Sequence, residues 1–395
     1  MSDDSLRPES KSTRWRVEAA VAVLFVLLLL VIGGISVVRT IAKRPLHQDA
    51  ATVPTASAAA PSARYAGAAD DAERLARSLV VSDNLPGLSV AVAAGGEIVW
   101  SKGFGWVPDD NRTPITPRTR FRLGALSKPL TSVGAALLHD RGRLDLDAAV
   151  QRYVAAYPAR QWPITTRQLL SDVGGVHRIR GDNNDAMPTQ HCGNLTEAVG
   201  LLHDDRLLFE PGTQHRYSIW GWVLVSAAIE GAADQPFARF MHEQVFAPLG
   251  MERTAVAETE GMEVAHSGGA PPDYTCLAGG GAFVSTPSDL VRLGSAMLKP
   301  GLLKAETIAD FRTPARLASG VSTTYALGWT VKTADLGGQP TRIVSHRGSP
   351  AGGTVSLLTI PGLGLAIAVA ANVGDAKGVD PLALQIAETF NKPRR

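Results

Sequence analysis

The sequence predicts an α+β fold, an antiparallel sheet beside a large helical subdomain, preceded by one N-terminal transmembrane helix. Three observations carry this. Strand signals cluster at both ends of the chain, with a helical stretch between them. The late strands follow one another at hairpin spacing, which favours antiparallel pairing. Ala19 to Val38 is an uncharged run of 20 residues rich in Leu, Val and Ile, enough to span a bilayer as a helix.

Taken in order, residues 1–18 read as a short cytoplasmic tail and 19–38 as a membrane anchor. The run is longer than a secretory signal core and ends in Ser36-Val-Val-Arg39 without a small-x-small site, which argues against cleavage. Arg7, Lys11, Arg14 and Arg16 precede it; Arg39, Lys43 and Arg44 follow. The slight excess of basic residues ahead of the span places the N-terminus inside and the main domain on the extracytoplasmic, periplasmic side.

Residues 39–68 are rich in Ala, Pro and Ser, a linker composition with little to bury. The folded domain is expected over 69–395. Asp70–Val80 reads as an amphipathic helix, and Leu85–Ala93 and Glu97–Gly103 as strands around Ala94-Gly-Gly96. A buried helix starts near Ala125 and closes at Asp140-Arg-Gly142, with Pro129 tolerated near its start. Further helices are expected at Leu144–Tyr153, Thr166–Leu170, Thr196–His203, Trp220–Ala232 and Gln235–Val245. Strands return at Gly328–Val331, Thr341–Ser345, Thr354–Ile360 and Leu365–Ala370, and Pro381–Phe390 closes the chain as a helix.

The 395 residues are 45% hydrophobic and 19% charged, with a net charge of +2. Nothing in that balance points to nucleic acid. Cys192 and Cys276 lack zinc spacing, and His177, His191, His203 and His215 do not fall at metal-ligand spacings, so a zinc site is not expected. Outside the cytoplasm the two cysteines are free to form a disulfide, though their separation does not show that they meet.

Several motifs share one order. Phe121-Arg-Leu-Gly-Ala125-Leu-Ser-Lys128-Pro-Leu-Thr131 resembles the first active-site motif of the serine β-lactamase and penicillin-binding-protein family, in its class C, DD-peptidase and esterase branch. Leu85-Pro-Gly-Leu-Ser-Val-Ala-Val92 resembles that family's first strand, and Leu169-Leu-Ser-Asp-Val-Gly-Gly175 its Leu-Leu-Ser/Thr-His-Thr-Ser-Gly stretch. Phe209-Glu-Pro-Gly-Thr213 with Tyr217-Ser-Ile-Trp-Gly221 resembles the second motif. Ala278–Thr286 and Tyr325–Trp329 are also similar, and His346-Arg-Gly348 with Gly352-Gly353 resembles the third motif.

The resemblance implies a Ser-x-x-Lys chemistry with no soluble cofactor or metal. A serine at a helix start is activated by a lysine three residues on, a tyrosine relays protons, an asparagine holds the substrate amide, and two backbone N–H groups form an oxyanion hole. Carried over, Lys128, Tyr217 and His346 match catalytic positions, with Gly348, and the N–H groups of Ala125 and Ser349 match the oxyanion hole. Ala125 itself stands where the nucleophile belongs, Ile219 replaces the asparagine, and Asp172 replaces the usual histidine. Ser127 points about 200° around a helix from position 125, away from the cleft. Trp220, Trp222 and Trp329 read as core or cleft wall.

Two expectations follow. One is a non-catalytic, membrane-anchored member whose cleft binds a small molecule or peptide of cell-wall type. The other is a working hydrolase of β-lactamase, D-alanyl peptidase or esterase type that uses another nucleophile or carries a substituted alanine.

Overall fold

The computed structural model describes residues 11–42, 45–58, 60–108, 112–177, 190–256, 264–265 and 273–391. The chain divides into two compact units, 1–46 and 47–395.

The first unit is helix α1, Lys11–Ala42. Its apolar side chains are exposed from Val21 to Ile32. Side chains beyond residue 33 in this helix lie outside those described, so part of the expected anchor does too. Among the described residues, no helix is long and apolar enough to cross a membrane.

The second unit holds strands β1 (Thr55–Ser57), β2 (Gly87–Ala94), β3 (Glu97–Gly105), β4 (Arg120–Arg122), β5 (Ala255–Val256), β6 (Val264–Ala265) and β7 (Phe283–Ser285), then β8 (Thr330–Asp335), β9 (Pro340–Gly348), β10 (Thr354–Ile360) and β11 (Leu365–Ala371). Its helices are α2 (Ala66–Ser82), α3 (Ser127–Asp140), α4 (Thr166–Leu170), α5 (Leu195–Gly200), α6 (Ile219–Ala233), α7 (Phe237–Phe240), α8 (Pro287–Ala296), α9 (Ala305–Phe311) and α10 (Val379–Asn391).

The main sheet runs β1-β3-β2-β11-β10-β9-β8, and every pairing in it is antiparallel. The N-terminal strand β2 lies against the C-terminal strand β11, with Leu365 opposite Ala94 and Ala371 opposite Leu88. This is the sheet assembled from both chain ends that the sequence predicts. The central strands are buried along their length, because both faces are covered. Helices α2 and α10 pack with Val80, Leu382 and Ile386 on one face. Helix α8 and the helical subdomain cover the other, around Leu130, Trp222 and Leu357. A small second sheet, β5-β7-β4-β6, links the two layers.

Several elements differ from expectation. The stretch read as a linker is docked on the domain from His47 to Ser57. His47 stacks on Trp106 with ring centroids 4.3 Å apart, Val53 is buried, and Arg77 donates to the Val53 carbonyl at 2.6 Å. Strand β1 pairs with β3, covering what would otherwise be an open sheet edge. Backbone pairing needs no bulky side chain, which is why composition alone hid it. Second, Leu144–Tyr153 forms only a 3-10 turn at Val150–Arg152. The Asp145 carboxylate accepts from Asp147 N, a local turn that competes with helix. Third, α8 and α9 lie where the sequence reading places no helix; the start of α8 shows its cause. That helix is capped by Thr286, whose side chain accepts from Asp289 N, with Pro287 in its first turn.

Candidate active site

The site is assembled where α3, α6 and the end of β9 meet. Helix α3 is buried from Ser127 to Leu138, and α6 beside it is buried over most of its length. A 3-10 turn, Gly124–Leu126, leads into α3 and carries Ala125. Gly124 has φ +50, a left-handed conformation that glycine accepts without strain. Gly348 closes the approach from β9. A Cβ there would lie 1.8 Å from the Leu123 carbonyl oxygen, so only glycine lets the strand end rest on this turn. Ser349 follows directly and is exposed, while Ala125 is partly exposed. Among the described residues neither the Ala125 nor the Ser349 N–H takes a protein acceptor.

Lys128 lies one turn into the fold from Ala125 and is fully buried. Its Nζ is 3.3 Å from Asp172 Oδ2 and 3.4 Å from the Ser218 carbonyl. It also stands 3.5 Å from the centre of the Tyr217 ring, close enough for a cation–π contact. The structure therefore brings Lys128 and Tyr217 together as the motif spacing implied. Asp172, however, takes the lysine. Its other oxygen accepts from Trp222 Nε1 at 3.1 Å and Ser218 N at 3.3 Å. Burial pushes the Asp172 carboxyl above its usual range, and Lys128 is the strongest opposing influence. Lys128 Nζ, Trp222 Nε1 and Ser218 N all donate to it, and all three favour the ionised carboxylate.

Asp172 has φ +54, a conformation that Asp tolerates better than most residues. Its carbonyl accepts from Arg216 N at 2.8 Å, tying the loop after α4 to the approach of α6.

His346 is buried on β9. Its Nδ1 lies 2.9 Å from the Arg347 carbonyl. A carbonyl only accepts, so Nδ1 carries the hydrogen and Nε2 accepts from the Tyr325 hydroxyl at 3.0 Å. Burial, then the Lys128 charge, lowers the His346 pKa to about 3. Burial also raises the Tyr325 hydroxyl well above its ordinary value, with the Asp172 charge adding to it. The pair is neutral at neutral pH, and neither group is poised to exchange a proton there.

Ile219 opens α6 and packs with the cluster of Tyr274, Leu277 and Ala282. An apolar wall thus stands where an amide-binding side chain would be expected. Ser127 is fully buried, and its Oγ accepts from Phe283 N at 3.1 Å. Ser218 caps α6 and donates to the His177 carbonyl at 2.6 Å. Both hydroxyls serve the fold. Cys192 and Cys276 form a disulfide, which staples the start of α5 to the loop beside Tyr274. Asp172 and Tyr325 were not singled out as site residues from sequence. Asp172 was visible only as a departure from the Leu-Leu-Ser/Thr-His motif.

A separate cavity of about 720 Å³ lies between β3 and the start of α8, lined by Ser57, Trp100, Arg118, Arg253, Asp289 and Arg292. It shares no residue with the cleft. Arg292 pairs with Asp289 within it.

Residues 72–389 match the beta-lactamase family. The chain belongs to that family. Among curated proteins it is similar to the serine beta-lactamase-like protein LACTB, mitochondrial, of Homo sapiens, at 25% identity over 89% of this chain and 85% of that protein. It is also similar to penicillin-binding protein 4* of Bacillus subtilis, at 27% over 66% of this chain and 62% of that one. Among solved structures, the hydrolase EstCE1 matches with a TM-score of 0.70 at 21% identity, covering 82% of this chain and 99% of that one. A beta-lactamase/D-alanine carboxypeptidase from Yersinia pestis matches with a TM-score of 0.68 at 19% identity, covering 81% and 98%. These structural likenesses establish the shared fold.

Proposed function

We propose that this member of the serine hydrolase family is a binding protein whose cleft holds an acyl or peptide ligand of cell-wall type without turning it over. The observation that carries the reading is the methyl group at position 125 beside an ion-paired Lys128. A serine hydrolase that loses its nucleophile loses on the order of a millionfold in turnover. Gly348, with the uncommitted N–H groups of Ala125 and Ser349, supports retained binding of a carbonyl oxygen.

The alternative is a hydrolase with another nucleophile. The commitment of the Ser127 and Ser218 hydroxyls to the fold weighs against it. Calorimetry with an acyl-D-alanyl-D-alanine peptide, followed by chromatography of the mixture, tests the reading. Saturable binding without product supports it, and binding should disappear in Ala125→Leu, which fills the cleft. Product release, or no binding by the unaltered protein, would overturn it.

The uncharged run within α1 and the Cys192–Cys276 bridge support a single-pass anchor with the domain on the extracytoplasmic, periplasmic side. Added protease should then digest the domain once outer layers are permeabilised. Protection would contradict this placement.

A further inference from the structure

We propose that Asp172 is a second lock on this cleft: it holds Lys128 as a fixed structural cation, so restoring a serine at position 125 alone does not restore acylation. The inference goes beyond the missing hydroxyl. It concerns the state of the lysine, and stands on the same cleft as the binding reading.

A lysine that activates a nucleophile must offer a lone pair. The ammonium of Lys128 has three N–H groups. One faces Asp172 Oδ2 at 3.3 Å and another the Ser218 carbonyl at 3.4 Å. The Tyr217 ring lies 3.5 Å away and favours a cation over a neutral amine. Every one of these neighbours stabilises the charged form. Asp172 is in turn built to remain an anion, because Trp222 Nε1 and Ser218 N both donate to it. The other ionisable groups around the pair are Tyr217, Tyr325, His346 and His215. Histidine carries no negative charge in either protonation state, and burial keeps the Tyr325 hydroxyl protonated, so Asp172 is the anion that faces Lys128.

A cation buried as deeply as Lys128 needs a counter-charge. The chain supplies one at position 172, where the family motif carries histidine.

The test compares Ala125→Ser with Ala125→Ser/Asp172→Asn in the full-length protein, using a fluorophosphonate. In the labelling step the introduced hydroxyl oxygen bonds to phosphorus, fluoride leaves, and the hydroxyl proton passes to Lys128 Nζ. Asparagine keeps the left-handed backbone but removes the negative charge. The double variant should label at least about a hundredfold faster than the single one, the usual scale for a general base. Equal rates would overturn the proposal.

A second readout covers the case in which neither variant labels, and its measurement on the unaltered protein also covers the case in which Asp172→Asn does not fold. With ε-carbon-labelled lysine, the Lys128 NMR signal, assigned by its loss in Lys128→Arg, reports its charge directly. In the unaltered protein it should sit at the ammonium position at pH 8. In Asp172→Asn it should turn to the amine at a pH about one unit lower or more, as removal of an adjacent opposite charge dictates. An amine signal in the unaltered protein at pH 8, or an unchanged transition in the variant, would overturn the proposal. Failure to bind a peptide would leave both readouts untouched, so the two readings fail separately.

Discussion

Asp172 Oδ2 lies 3.3 Å from Lys128 Nζ, and both side chains are withdrawn from solvent. Breaking one side of such a pair strands a buried charge. Asp172→Asn should therefore lower stability by about 3–5 kcal/mol. Lys128→Met/Asp172→Asn should recover most of that loss, since it removes both charges. Denaturant unfolding of the unaltered protein, Lys128→Met, Asp172→Asn and the double variant checks this. Additive losses in the double variant would mean that the two residues do not act as a pair.

His346 gives a pH signature. Its folded-state pKa of about 3 lies below the ordinary value of 6.5. Between those values the unfolded chain binds a proton that the folded chain refuses. Its contribution therefore falls as pH drops below about 6.5, by up to about 1.4 kcal/mol per unit, and levels off near pH 3. His346→Asn should flatten the melting-temperature profile across that window relative to the unaltered protein. Parallel profiles would show that His346 is not kept neutral by its surroundings.

Ser127 should behave as part of the frame. Ser127→Ala leaves the buried Phe283 N–H without its acceptor, at a cost of about 1–3 kcal/mol. Peptide affinity measured by calorimetry should stay within a factor of two. A large loss of affinity with no change in stability would place this hydroxyl in the cleft.

The disulfide spans 84 residues, and closing a loop of that order typically contributes about 2–4 kcal/mol. Cys192→Ser/Cys276→Ser should show a matching drop in unfolding midpoint. An unchanged midpoint would show that the bridge does not constrain the unfolded chain.

Much of the site was legible because its motifs are local. Lys128, Tyr217, His346 and Gly348 each sit in a short stretch whose spacing sets its place on a helix start or strand end. The partner of Lys128 was not legible, since Asp172 is 44 residues away and reaches it only through the loop held by Arg216. Tyr325 was hidden for the same reason: its hydroxyl meets His346 across 21 residues. In the fold, the sheet built from both chain ends followed from strand patterning, with Thr354–Ile360 matching β10. The strap from His47 to Ser57 did not, because it binds by edge pairing, by His47 against Trp106 and by the Arg77 bond to the Val53 carbonyl. Those contacts leave no apolar period in the sequence.

The most direct test of the account is covalent labelling of the unaltered protein. Incubation with a fluorophosphonate and, separately, with a fluorescent β-lactam should leave its intact mass unchanged, because position 125 has no hydroxyl and the Ser127 and Ser218 hydroxyls are committed to the fold. A stoichiometric adduct mapped to any serine of the domain would contradict it.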